Sequence, residues 1–234
     1  MKAQLTATKT PLLAALVAAG AMIGASVAHA VPTITISSPG DIDIVVGDGG
    51  IGDDDGVADG KIEFSESISS FNFVGSTAFT KPFLGTDALQ IDTAFTAVSL
   101  GAGDVTITFS ETDFDVTGSP TFISTIGGTT EGAVTYTTFV DDSNAINGMA
   151  TQVGDVTPLV GPLGNFSGAD TGTATVSTPF SMTQVINISH TGTGITDITT
   201  GNANLRVPVP ATLGLLGVGL LGLGWLGRRR TASA

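Results

Sequence analysis

The chain has no cysteine among its 234 residues, and only one tryptophan and one tyrosine. Without thiols there is no disulfide, no thiolate nucleophile and no Cys-ligated metal, so a domain of this composition must hold itself by packing. Basic residues are scarce: eight Lys and Arg stand against twenty-one Asp and Glu, for a net charge of −13. That balance argues against a nucleic-acid partner, because neutralising phosphates takes many cations. Histidine is nearly missing as well, at positions 29 and 190 alone. Nucleophilic catalysis needs an activating base within reach of the nucleophile. With no Gly-x-Ser-x-Gly elbow and no basic partner for His190, a Ser-His-Asp hydrolase has little support. In Ile188-Ser189-His190-Thr191 the imidazole is expected at the surface or at a strand end. Long apolar runs are absent between residues 31 and 207, and the two that exist lie at the ends.

At the N-terminus, Lys2 and Lys9 precede the apolar run Leu12–Val27, and Ala28-His29-Ala30 follows it. A basic region, an apolar region and an Ala-x-Ala site in that order make residues 1–30 a signal peptide, cut by signal peptidase to leave Val31 first. A first transmembrane helix fits less well, because the small-residue site follows at the spacing of a cleavage signal.

At the C-terminus, residues 208–234 begin with Pro208-Val209-Pro210, continue through the charge-free run Ala211–Gly227 and reach Arg228-Arg229-Arg230. That run is at the short end of the roughly 17–25 apolar residues needed to span a bilayer. Positive charge beside a span resists translocation, so the arginines are expected on the cytoplasmic side and Pro-Val-Pro outside. Six glycines weaken the run as a helix, and none are spaced four apart as a helix-dimer motif requires. This order resembles the PEP-CTERM sorting signal, in which Pro-Glu-Pro, a transmembrane helix and a basic cluster end the chain. Val209 stands where that signal usually has Glu. The resemblance is confined to this tail. It implies transient residence in the inner membrane, removal of the tail by an exosortase-type enzyme, and passage to the cell surface or matrix. An unprocessed tail anchor is the alternative.

Between the signals lie residues 31–207, where three basic residues (Lys61, Lys81 and Arg206) face all twenty-one acidic ones, a formal charge of −18. Apolar and polar residues alternate with period two in 33–36, 41–46, 71–73, 105–109, 133–140 and 185–188, and again briefly at 89–91. Period two marks strands with one buried and one wet face. The polar positions are rich in Thr, which suits a pleated surface. No window carries helical spacing, and prolines at 39, 82, 120, 158, 162 and 179 are expected between the runs. The expectation is an all-β module, an antiparallel two-sheet sandwich of jelly-roll or immunoglobulin-like type with about 8–10 strands.

One internal stretch stands out chemically. Asp48–Glu66 holds seven carboxylates in 19 residues, which repel one another unless something bridges them. From Asp55 the register is similar to an EF-hand loop, with Asp55 first, Asp59 fifth, Gly60 at the turn, Glu63 ninth and Glu66 twelfth. Val57 occupies the third position, where an oxygen ligand is expected, and no helix precedes the loop. Two readings stay open: a calcium-braced β-loop using Asp53, Asp55, Asp59, Glu63 and Glu66, or a flexible acidic turn. Elsewhere Asp113-Phe114-Asp115 pairs two carboxylates, but strand alternation turns both toward solvent, away from the burial that acid catalysis needs.

The function expected from these features is that of an exported, non-enzymatic surface or matrix protein. By the resemblance, such cargo is linked to exopolysaccharide, biofilm or floc formation. Two alternatives are a carbohydrate-binding or calcium-dependent adhesion module and a secreted hydrolase. The first is weakened by the lack of Trp in 31–207, and the second by the lack of His, Lys and Arg.

Overall fold

The computed structural model describes residues 31–160, 164–193 and 196–208. The leader residues Ala28 and Ala30, the tail residues Val209, Pro210 and Arg228–Arg230, and the run 211–227 lie outside the described residues.

Fourteen strands and no helix fill the described residues: β1 (Thr33–Ser37), β2 (Ile44–Gly47), β3 (Lys61–Phe64), β4 (Ser67–Ile68), β5 (Phe71–Phe73), β6 (Ser76–Phe79), β7 (Gln90–Ser99), β8 (Gly103–Phe114), β9 (Thr121–Thr130), β10 (Ala133–Asp141), β11 (Thr151–Val160), β12 (Gly164–Thr173), β13 (Phe180–His190) and β14 (Asp197–Arg206). They form two antiparallel sheets. The six-stranded sheet runs β11-β10-β13-β8-β1-β2, and the eight-stranded one runs β12-β9-β14-β7 before its edge divides. There β5 pairs with Ala97–Ser99 of β7 while β6 pairs with Asp92–Ala94, and β4 and β3 extend these two branches.

Alternation builds one core between the sheets. Ile34 and Ile36 of β1 and Val105, Ile107 and Phe109 of β8 point inward from one sheet. Ile91, Phe95 and Ala97 of β7 and Phe122 and Ile126 of β9 meet them from the other. Each fully buried large apolar side chain contributes about 1.5–3 kcal/mol. Polar side chains also tie sheet to sheet. Gln184 of β13 donates from Nε2 to the Ile91 carbonyl at 2.6 Å and accepts from Thr93 Oγ1 at 3.3 Å. Ser124 of β9 and Thr138 of β10 share a buried hydrogen bond of 2.7 Å. In a chain without disulfides, such ties fix the register of the two sheets while satisfying buried hydroxyls.

The all-β sandwich expected from period two is what forms, with more strands than the alternation marks. The strands that the alternation left unmarked, β9, β11, β12 and β14, all contain Gly and Thr, with Asn in β12 and β14. Their neighbours, not their own hydropathy, make them strands. Pro158 falls inside β11 rather than between runs. It is tolerated because β11 is an edge, and the pairing with β10 slips between Val134 and Tyr136, opposite that proline. The alternation at 41–46 overextends β2. Asp41 N donates to the Ser38 carbonyl in a turn, so the strand starts only at Ile44 and Ile42 is 91% exposed.

Candidate functional site

In the acidic stretch the carboxylates are occupied by the chain itself. Asp53, 8% exposed, accepts from Gly49 N at 2.8 Å and from Glu63 N at 3.0 Å. Asp48 accepts from Asp59 N and Gly60 N, at 3.2 and 2.9 Å. Burial pushes the Asp48 carboxyl up, against those two N–H groups that pull it down. Asp59 accepts from Lys61 N, and Asp55 from Val57 N. Lys61 Nζ sits 2.7 Å from Asp55 and 2.9 Å from Glu63, which raises the ammonium pKa and, through the Lys61 hydrogen bond above all, lowers that of Asp55. Gly60 has the positive φ of 87° that a tight turn needs, and a Cβ there would lie 2.5 Å from the Lys81 carbonyl oxygen.

These contacts bear on the calcium expectation. Residues 61–64 are strand β3, with Ile62 and Phe64 in the core and Glu63 on the opposite face. An EF-hand needs those positions to curl round an ion. Among the described residues no three acidic or imidazole side chains gather as a metal site. In this conformation Asp53, Asp55, Asp59 and Glu63 are engaged by backbone N–H groups and Lys61, and Glu66 is not among them. The stretch is a loop braced by backbone N–H groups and Lys61.

His190 ends strand β13, as expected, but it lies inside the sandwich and not at the surface. It is 2% exposed, packs 5.1 Å from the Phe71 ring, and bridges the sheets. Nδ1 lies 2.6 Å from Ser99 Oγ, Nε2 lies 2.7 Å from Thr199 Oγ1, and Thr199 continues to Thr130 Oγ1 at 2.7 Å. Burial holds the imidazole pKa below its ordinary value, so the ring is neutral, with one nitrogen donating and the other accepting. A Ser–His pair at 2.6 Å has the separation of a nucleophile and its base. Ser99 is fully buried, however, and a substrate has no route to it. The contact is a structural tie. The alternation of apolar residues along β13 places position 190 on the inward face, and that was the available signal.

A third cluster lies at the end of the sandwich where β8 finishes. Glu111, 1% exposed, points inward with Val105, Ile107 and Phe109. Lys81 Nζ reaches it at 3.6 Å, donates to the Thr112 carbonyl at 2.5 Å and stands 3.9 Å above the Phe114 ring. Among the described residues Glu111 Oε2 has no hydrogen-bond partner. Burial pushes its pKa up to about 7 despite Lys81, and burial also lowers that of Lys81. Asp113 then takes φ 60°, held by Asn144 at its N–H and carboxylate. Phe114 is thereby turned into the core, while Asp113 and Asp115 stay exposed, as alternation implied. Lys81, Asp87, Leu89, Asp113 and Asp115 wall an open cleft of about 260 Å³. Glu111 is sealed behind it and does not line it. The cleft thus offers exposed carboxylates set apart from the buried Glu111.

The chain leaves the domain at the same end. β14 lies between β9 and β7, and Val207, 8% exposed, still donates its N–H to the Leu89 carbonyl at 2.9 Å. Pro208 is the first exposed residue after it. At this exit the fold gives way to the strongest feature of the sequence. Residues 206–230 match the PEP-CTERM protein-sorting motif. The PEP-CTERM match thus opens on the last strand residue, Arg206, and it implies an exported substrate of an exosortase-type enzyme, routed through the membrane toward the cell surface.

No curated protein matches the chain. Among solved structures it is similar to TmCBM61 in complex with beta-1,4-galactotriose, at 13% identity and TM-score 0.34, over 60% of this chain and 90% of that one. It is similar to the K1 cleaved adhesin domain of Lys-gingipain from Porphyromonas gingivalis W83, at 10% identity and TM-score 0.30, over 64% and 98%. A third likeness, to the enzymatically active domain of Bacteriophage CBA120 tailspike protein 4, has 15% identity and TM-score 0.32, over 61% of this chain and 20% of that one. At these values none of them carries an argument about what this chain does.

Proposed function

We propose that residues 31–207 are the non-enzymatic cargo of the sorting tail, working as a structural or interaction protein at the cell surface or in the extracellular matrix, in association with exopolysaccharide, biofilm or floc. The observation that carries this is the PEP-CTERM motif at 206–230, joined to a complete β-sandwich. A non-catalytic role is supported by the state of the reactive groups: His190 and Glu111 are sealed in the core, apart from the exposed carboxylates of the cleft. Recognition by aromatic stacking on sugar is disfavoured, because Tyr136 is fully buried and Phe83, at 51%, is the large exposed aromatic among the described residues.

The test is localisation with intact-mass measurement in host cells with and without the exosortase-type enzyme. We expect matrix-borne protein starting at Val31 and lacking Arg228–Arg230, and a membrane-bound form with its tail when the enzyme is deleted. Matrix protein carrying the whole tail, or equal distribution in both strains, would refute the proposal.

A further inference from the structure

The sorting tail continues from the fold without a linker. Val207 is hydrogen-bonded inside the sandwich, and the charge-free run begins at Ala211, four residues on. At about 3.3–3.6 Å per residue, four steps span at most about 14 Å. The headgroup layer takes about 5–7 Å of this when the run sits in the bilayer. The remaining gap is narrower than one α-helix, whose diameter is about 10–12 Å. An enzyme cutting near Pro208–Pro210 cannot reach between domain and membrane without touching the end of the sandwich.

That end has a shape and a charge. A groove of about 370 Å³ opens beside the exit, walled by Val116, Pro120, Thr121, Val207 and Pro208. The cleft with Asp87, Asp113 and Asp115 adjoins it: Asp115 precedes Val116 in the chain, and Leu89, on the cleft wall, holds Val207. Lys81, the one cation in the cleft wall, is largely buried against Glu111 and Phe114. Arg206, exposed beside Val207, is outnumbered by the three carboxylates Asp87, Asp113 and Asp115, so the solvent-facing charge is negative. It opposes anionic lipid and complements a basic protein surface.

We propose that this end of the sandwich, the Val116–Thr121 groove with its Asp87, Asp113 and Asp115 rim, is the docking face for the membrane-embedded processing enzyme, which meets it with a basic surface on the outer side of the membrane. The fold, in place of a linker, then sets the start of the tail, Pro208, at a fixed place beside the docking face. This rests on the sorting function proposed above.

The test tracks tail removal from the full chain in host cells by pulse-chase. One variant inserts about twelve Gly and Ser residues between Val207 and Pro208, which leaves the Val207 hydrogen bond in place but makes the tether flexible. A second carries Asp87→Lys with Asp115→Lys. A control carries Asp43→Lys with Asp104→Lys, at the opposite end of the sandwich, where β1 and β8 start their pairing at Ser37 and Thr106. Docking predicts tail removal slowed about fivefold or more by the spacer and by the first charge reversal, with the control unchanged. A spacer chain processed at the original rate or faster overturns the proposal, since the domain end is then neutral or an obstruction. Equal slowing by both charge reversals overturns it too. A tail that the unaltered chain never loses refutes the sorting function itself and this proposal with it.

Discussion

Glu111 gives the most quantitative perturbation. Its carboxyl ionises at about 7 in the folded protein, against 4.5 for an ordinary Glu, because burial outweighs Lys81 at 3.6 Å. A carboxyl whose folded pKa is raised binds its proton more tightly in the native than in the unfolded state. Stability from this group is therefore fully present below pH 4.5 and lost as pH rises to about 7. At 1.36 kcal/mol per pKa unit, the loss is about 3 kcal/mol. Glu111→Gln mimics the protonated form and removes the titration. Urea denaturation of residues 31–207, wild type and variant, at several pH values from 4 to 8 isolates the effect, since the other carboxylates cancel in the difference. The two should be nearly equal at pH 4, and the variant should gain about 3 kcal/mol on the wild type by pH 8. A difference that stays flat with pH, or a variant weaker than wild type at pH 8, would show that Lys81 compensates the buried charge in full.

Asp53→Ala strands the Gly49 and Glu63 N–H groups, each hydrogen-bonded to a carboxylate, and should cost about 3 kcal/mol. The melting temperature should be the same in millimolar calcium and in chelator, and a clear rise with calcium would restore the metal loop. His190→Leu breaks the Ser99 and Thr199 bonds and should cost about 2–4 kcal/mol by chemical denaturation. Because burial holds the His190 pKa below 6.5, its contribution is present above pH 6.5 and falls as pH drops. The wild-type advantage over His190→Leu should shrink in acid, and an advantage that grows there would mean the ring is charged in the fold.

Local pattern settled the sorting motif at 206–230 and the fold class, and it carries the expectation of a leader at residues 1–30. A basic region, an apolar run and a small-residue site act in sequence order, as do Pro-Val-Pro, an apolar run and arginines, so neither signal needs tertiary contacts to be read. Period-two alternation in segments such as 33–36 and 133–140 marks strands for the same reason, since each residue's neighbours along the chain decide its face. What the tertiary structure decided was partnership. Asp48 finds Gly60, Glu111 finds Lys81 and His190 finds Ser99 across separations of 12, 30 and 91 residues. Hydropathy carries no term for which N–H or hydroxyl will face a polar group once two sheets close. For that reason seven clustered carboxylates left a calcium-braced loop and a flexible turn both open, and only the folded chain shows the backbone donors and the one lysine that engage them. The same holds for β12 and β14, whose Gly, Thr and Asn carry no period of their own. They are strands because β9 and β7 offer them open edges, and hydrogen bonding to a neighbour fixes an extended chain whatever its side chains.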